Sequence, residues 1–88
     1  MNLYLVHCGF YDTQVCDGLY ESHANFFVAA PNFEEARAKA KLIPEFKLKK
    51  MHIDGLQEIK AVDGNQVLLQ ADGSLNNQTV IINHKHRD

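Results

Sequence analysis

Four ionisable side chains occur in two short motifs of similar form. Glu21 and His23 are two residues apart, and so are His52 and Asp54. Residues i and i+2 of a β-strand point to the same face, so each motif would present both side chains to one side of a sheet. Two imidazoles and two carboxylates can hold a divalent cation such as zinc, with water in an open position. They could equally form a general acid–base pair in which a carboxylate orients one imidazole and the other moves a proton.

The competing interpretation of these side chains is structural. Both motifs are common by chance, and a histidine near the end of a strand is usually a hydrogen-bonded structural group. The chain contains no nucleophile elbow, phosphate-binding loop or dinucleotide fingerprint that would specify a reaction. We take His23, His52 and Asp54 as candidate catalytic residues and Glu21, His23, His52 and Asp54 as candidate metal ligands. Whether the protein is an enzyme stays open.

The first two strands are predicted on either side of a long connection. Residues 2–8 are apolar at both alternating sets of positions, which is typical of a central strand covered on both sides. The next 14 residues, 9–22, are mostly polar, and this connection is longer than a hairpin loop of about 2–5 residues. Residues 23–30 read as a second strand that Pro31 ends.

One helix is predicted from Phe33 to Ile43. Asn32 is a favourable N-cap, and Glu35 follows it at the spacing of a capping box. The apolar residues of this segment recur at intervals of three and four, which gives one stripe for packing on a sheet. Pro44 stops the helix, and a basic connector over residues 45–50 follows.

The remaining chain is predicted to form β-structure. A third strand covers residues 51–62 with a bulge near Gly55. Asp63-Gly64 is typical of a two-residue hairpin turn into a strand over 65–70, and the β-branched segment 79–82 reads as a last strand. The predicted fold is a two-layer α+β domain, in the order β-β-α-β-β-β, with one helix packed on a mostly antiparallel sheet. The domain covers residues 1–83, and residues 84–88 form a solvated tail.

This topology predicts that the two motifs meet. A strand–helix–strand unit returns parallel to its first strand, so strands two and three should begin at the same end of the sheet. Those beginnings carry the Glu21/His23 and His52/Asp54 motifs. An antiparallel first strand would bring its last residues, His7 and Cys8, to the same end.

The sheet face away from the helix is predicted to be apolar. It carries five apolar residues beside Glu58 and Lys60: Phe27, Leu56, Val62, Val67 and Leu69. An uncovered apolar face of this size is usually a partner surface, so we expect a homodimer through it. The alternative is that the loop 9–22 folds over this face with its four large side chains, Phe10, Tyr11, Leu19 and Tyr20.

Composition limits the class of protein. With 88 residues, 45 % hydrophobic and 23 % charged, the chain has room for one small core and is too apolar to be disordered. A net charge of −2 argues against nucleic-acid binding, although Lys47, Lys49 and Lys50 form a local basic run. No segment approaches the ~20 apolar residues of a membrane span, and no secretory signal is visible, so we expect a cytoplasmic protein. Cys8 and Cys16 are too few for a disulfide framework, and Cys8 is typical of a small core residue.

The chain resembles a small bacterial family known as domain of unknown function fifteen forty-three. The features that carry the resemblance are the opening Met-x-Leu-x-Leu-Val, Glu21-x-His23 followed by Phe26-Phe27, His52-Ile53-Asp54, and Val62-Asp63-Gly64. The resemblance covers about residues 1–70. It implies that Glu21, His23, His52 and Asp54 are recurrent polar positions of the family, and it implies no reaction, ligand or cofactor.

Two functions therefore remain in view. The first is a binding or interaction module that forms a homodimer and carries the His/Asp/Glu cluster at one end of its sheet, where the cluster is either structural or holds a small ligand. The alternative is a small metal-assisted or His-based hydrolase or lyase that uses the same cluster and a divalent metal. Neither nucleic acid nor a membrane is an expected partner.

Overall fold

Strand β1, Asn2–Tyr11, is the centre of the fold. In this computed structural model, which describes residues 1–85, β1 pairs antiparallel with β2, Glu21–Ala30, and with β3, His52–Glu58. The strand order is β2-β1-β3. β2 and β3 are therefore parallel to each other and begin at the same end of the sheet. The predicted α+β class, the central first strand and the shared starting end are confirmed.

Alternate residues of β1 serve the two faces of the sheet. Tyr4, Val6, Cys8 and Phe10 are buried on the face that the helices cover. The other set of residues, which includes His7, Gly9 and Tyr11, points to the opposite face, which we call the open face. The predicted core role of Cys8 is confirmed.

Two helices lie where the sequence predicts one. Helix α1, Phe33–Lys41, begins at Asn32, whose side-chain oxygen accepts a 2.8 Å hydrogen bond from the Glu35 amide. Its fully buried Ala36 and Ala40 allow close approach to the sheet. Helix α2, Pro44–Leu48, was not predicted, because Pro44 was interpreted only as a stop signal. Proline is also well suited to the first turn of a helix, and α2 buries Phe46 in the core.

A β-bulge in β3 confirms one prediction and overturns another. Cys8 pairs with Ile53 while His7 pairs with Gly55, which leaves Asp54 as the extra residue. An extra residue reverses the alternation of side chains beyond it. Leu56 therefore packs in the core on the covered face, and the Tyr4 hydroxyl reaches Glu58 at 3.5 Å. The prediction that Leu56 and Glu58 lie on the open face was wrong.

The chain beyond β3 contains less β-structure than predicted. Strands β4, Ala61–Val62, and β5, Asn65–Gln66, form the predicted hairpin, with positive φ angles of 51° and 77° at its two central turn residues. The strand predicted over 65–70 ends at residue 66, and Ala61 and Val62 of the hairpin are exposed.

The predicted last strand does not form. Residues 79–82 have no regular secondary structure, and Val80, Ile81 and Ile82 are exposed. β-Branched residues favour a strand only where a neighbouring strand and a covered surface are at hand. Of the predicted tail 84–88, residues 86–88 lie outside the described residues. Within residues 1–85, no helix is long and apolar enough to cross a membrane.

Candidate metal centre

Three strands bring the two sequence motifs to one place. Gly9 on β1 lies directly opposite His23 on β2 and opposite His52 on β3. Directly opposed residues share a face, so both histidines flank Gly9 on the open face. Glu21 is two residues before His23 on the same face, and Asp54 is the bulged residue just after His52. The predicted meeting of the two motifs is present in the structure.

Gly9 leaves the space over which the side chains converge. A Cβ atom at this position would lie 2.5 Å from Glu21 Oε1, 2.6 Å from Asp54 Oδ2 and 2.6 Å from His52 Nε2. All three distances are shorter than real Cβ contacts, so every other residue would push these side chains apart. Gly9 itself is buried. Three candidate ligand atoms therefore cover a position that only glycine leaves open.

The donor atoms have the separations of metal ligands. His23 Nε2 lies 2.7 Å from Glu21 Oε1 and 3.6 Å from Asp54 Oδ2. His52 Nε2 lies 3.1 Å from Asp54 Oδ1 and 3.7 Å from Glu21 Oε1. Ligands that are about 2.1 Å from a tetrahedral zinc ion lie about 3.4 Å from one another. The four measured separations bracket this value.

The atoms that could ligate a metal ion fall into two groups that overlap. His7, His23 and Asp54 form one group, and Glu21, His52 and Asp54 form the other. Within each group the ligating atoms all lie within 4.8 Å of one another. Asp54 is the member that the two groups share.

Two side chains of the site were not among the candidate ligands. The Tyr11 hydroxyl donates a 3.1 Å hydrogen bond to Glu21 Oε2, and its ring lies 6.4 Å from that of His52. His7 stacks on His23 with ring centroids 4.9 Å apart and pairs with Asn25 at 2.8 Å. The alternation His7-x-Gly9-x-Tyr11 could have indicated both. The first strand was predicted to end at residue 8, so Tyr11 was assigned to the loop 9–22.

The pKa values follow from these contacts. The hydrogen bond from Tyr11 is the main cause that lowers the pKa of Glu21, and hydrogen bonds with His23 and Asp54 add to it. The same contact with Glu21 raises the pKa of Tyr11, which keeps the phenol protonated as a donor. Burial raises the pKa of Cys8, with a further contribution from the charge of Asp54. Cys8 lies on the covered face and is not part of the site.

The site is accessible from solvent. Side-chain exposure is 46 % for both histidines, 31 % for Glu21 and 34 % for Asp54. A cation held here would keep open positions for water or a small ligand.

The basic run lies apart from the site. Lys49 pairs with Glu45 at 3.3 Å, and its ammonium lies 4.9 Å from the centre of the Phe10 ring. Phe46, the aromatic residue of this segment, is buried. Phe46 therefore offers no exposed ring for stacking against a nucleic-acid base.

The fold and the site thus describe a small α+β protein with a two-histidine, two-carboxylate cluster at one end of an antiparallel sheet. The family described as Domain of Unknown Function (DUF1543) matches residues 18–69, which is more than half of the chain. The chain belongs to this family. The matched segment contains Glu21, His23, His52 and Asp54, whereas β1 with Gly9 and Tyr11 precedes it. Neither the curated proteins nor the solved structures give a match.

Proposed function

We propose that the protein is a small module that binds a divalent cation through Glu21, His23, His52 and Asp54. The observation that carries the proposal is the convergence of donor atoms from three of these residues over Gly9. Imidazole and carboxylate together suit zinc and neighbouring transition metals better than they suit calcium or magnesium. Tyr11 acts as an outer partner that turns Glu21 Oε1 toward the cation by holding Oε2.

The test is calorimetric titration of tag-free protein with Zn²⁺, Ni²⁺ and Mn²⁺. All variants carry His84→Asn and His86→Asn, so that the C-terminal histidines bind no metal. We expect micromolar or tighter binding of at least one cation and its loss in His23→Ala/His52→Ala. Gln57→Ala, on the same open face, is the matched control and should bind like the parent protein.

Absence of binding in the parent protein would overturn the proposal. The cluster would then be a structural hydrogen-bond network. Binding that survives the double histidine substitution would also contradict it, because the metal would then lie elsewhere. Circular dichroism of each variant separates loss of a ligand from loss of the fold.

A hydrolase or lyase is the second candidate for the same residues. The observation that favours it is the exposure of the site, which leaves room for a substrate beside a bound cation. A metal-bound water with a lowered pKa supplies the nucleophile in such enzymes. Turnover of p-nitrophenyl acetate or bis-p-nitrophenyl phosphate by metal-loaded protein, lost in His23→Ala/His52→Ala, would support it. Turnover that survives the substitutions would contradict it.

We also propose that the apolar part of the open face forms a homodimer contact in a cytoplasmic protein. On this face Phe27 lies opposite Leu5 and is 43 % exposed. The loop does not cover it, since Leu19 and Tyr20 are 71 % and 62 % exposed while Phe10 and Tyr11 are used elsewhere. Light scattering at micromolar concentration should give a dimer mass, and a monomer mass would exclude the proposal.

A further inference from the structure

We infer that two copies of the chain exchange a short strand, in which residues 80–82 of each copy add to the outer edge of β2 in the other. This inference rests on the proposed homodimer. It adds a backbone hydrogen-bond ladder to the contact between apolar side chains, and it names the segment that forms the ladder.

β2 is the more regular of the two edge strands. The sheet order is β2-β1-β3, and no strand of residues 1–85 pairs with the outer side of β2. Its ten residues pair with β1 without a register shift, whereas β3 is interrupted by the bulge at Asp54. Bulges discourage pairing at a sheet edge, and a regular edge is a template for another strand. β2 is therefore the edge that can accept a strand.

The backbone groups of alternate β2 residues point outward. The Ala29 carbonyl accepts a 2.6 Å hydrogen bond from Nζ of Lys39, a residue of α1. Leu3, which lies opposite Ala29, directs its carbonyl to the Ile59 amide on the β3 side at 2.9 Å, so Leu3 and Ala29 do not bond each other. Alternate residues of a strand face the same way, so the N–H and C=O of Phe27 also point to the outer edge.

A groove of about 920 Å³ lies at this edge. It is lined by residues 27–29 of β2, by residues 42–44 at the end of α1, and by residues 69–71 and 77–79. Peptides that add to a sheet edge gain affinity from main-chain hydrogen bonds and specificity from surfaces that take alternate side chains. The outward groups of Phe27 and the apolar side chains around them offer both.

The segment that suits this groove is Val80-Ile81-Ile82. The three residues are 65 %, 62 % and 91 % exposed, and the segment has no regular secondary structure. β-Branched residues of this kind favour a strand when a neighbouring strand and a covered surface are at hand. The segment carries no charge, which suits a mostly apolar groove.

The position of the segment favours a second copy as the source of the added strand. Residues 77–79 line the groove, so residues 80–82 leave the domain at its rim and are exposed there. A two-fold axis beside the rim lets each copy place its segment in the groove of the other. Such an exchange uses the same surface on both copies, as a closed homodimer requires.

The experiment combines light scattering with amide hydrogen exchange on the full chain at micromolar concentration. We expect a dimer mass for the wild type and a monomer mass for Ile81→Asp/Ile82→Asp. The Phe27 amide should be protected in the wild type and should lose this protection in the variant, because the ladder is lost. The Val28 amide, which faces β1, should stay protected in both.

Leu19→Asp/Leu48→Asp is the matched control. Leu19 and Leu48 are 71 % and 81 % exposed, do not line the groove, and give the same change in charge when substituted. This variant should remain a dimer with a protected Phe27 amide. Circular dichroism checks that both variants remain folded.

The outcomes separate this inference from the proposed function. A monomeric wild type overturns both the strand exchange and the proposed homodimer, while the metal-binding proposal stands. A dimer that persists in Ile81→Asp/Ile82→Asp, with unchanged exchange of the Phe27 amide, overturns only the strand exchange. A monomer whose Phe27 amide loses protection in this variant means that the segment pairs within its own chain, which also overturns the exchange between copies.

Discussion

The two faces of the three-stranded sheet use alternate residues of the same strands for different purposes. On the covered face, Tyr4, Val6 and Cys8 are almost completely buried. On the open face, Gly9 and Tyr11 of the same strand contribute to a cluster of ionisable side chains. Packing on the covered face fixes the positions of the strands. Those positions in turn determine where the side chains of the open face lie. Ligands on rigid strands are held more precisely than ligands on loops.

Cys8 and Gly9 show the contrast at its sharpest. They are consecutive, yet one is a core side chain and the other is the floor of the candidate site. Burial raises the pKa of the Cys8 thiol, and its position in the core on the covered face keeps it away from the candidate ligands. A strand that packs against the core with one face can therefore present ionisable side chains on its other face, even where no core covers that second face.

The largest expected effect is on the free energy of unfolding, which should depend more on the covered face than on the open face. Phe10→Ala, on the covered face, should lower the free energy of unfolding by about 3–5 kcal/mol. Phe27→Ala, its counterpart on the open face, should lower it by less, about 1 kcal/mol, because Phe27 is 43 % exposed. Urea denaturation at low protein concentration measures both values. Equal losses for the two variants would contradict the separation of the faces.

A single methyl group on the open face should strongly weaken metal binding. Gly9→Ala places a carbon within 2.6 Å of three donor atoms, so we expect an affinity loss of about 10- to 100-fold while every ligand is retained. Gly55→Ala is the matched control, because its new Cβ meets only His7 Cβ at 3.8 Å. Calorimetry should show full binding for Gly55→Ala. Unimpaired binding by Gly9→Ala would place the metal elsewhere.

Tyr11→Phe tests the outer partner of the site. Removal of the hydroxyl should weaken metal binding about 10-fold, as is usual for outer-shell partners. In metal-free protein, the pKa of Glu21 should rise toward its ordinary value of 4.5, because its main hydrogen bond is lost. Calorimetry and carboxyl NMR titration measure the two effects.

The sign of the accompanying pH dependence follows from the lowered pKa of Glu21. A depressed carboxyl pKa stabilises the fold above the ordinary value and loses that contribution as the pH falls through the folded pKa. The stability difference between wild type and Tyr11→Phe in metal-free protein should therefore shrink below about pH 4.5. A difference that stays constant down to low pH would argue against this coupling.

The smallest effect tests whether the faces are independent. Asn32→Ala removes the cap of α1, which lies on the covered face, and should cost about 1 kcal/mol of stability. Thermal denaturation measures this loss, and Asn32→Gly should cost less. Metal affinity should be unchanged in both variants. A change in affinity would show that the helix layer tunes the site.

Much of the fold was predictable because the relevant signals are local. Asn32 with Glu35 predicts the start of α1, and Asp63-Gly64 predicts the hairpin, since caps and tight turns depend on a few neighbouring residues. The rule for strand–helix–strand connections then placed Glu21 and His23 beside His52 and Asp54. Predicting these four candidate ligands required only the residue types, their spacing and one rule of topology.

Other features depend on residues that are distant in the chain. The bulge at Asp54 reversed the faces of Leu56 and Glu58, and segment 79–82 has strand-forming residues but no strand partner within the described chain. Gly9 matters because two other strands place three donor atoms over it, and nothing in its own neighbourhood indicates that. Local patterns decide which residues face the same way along one strand. Only the packing of β2, β1 and β3 decides which atoms meet across strands, because those distances depend on register, bulges and the close approach that a missing side chain permits.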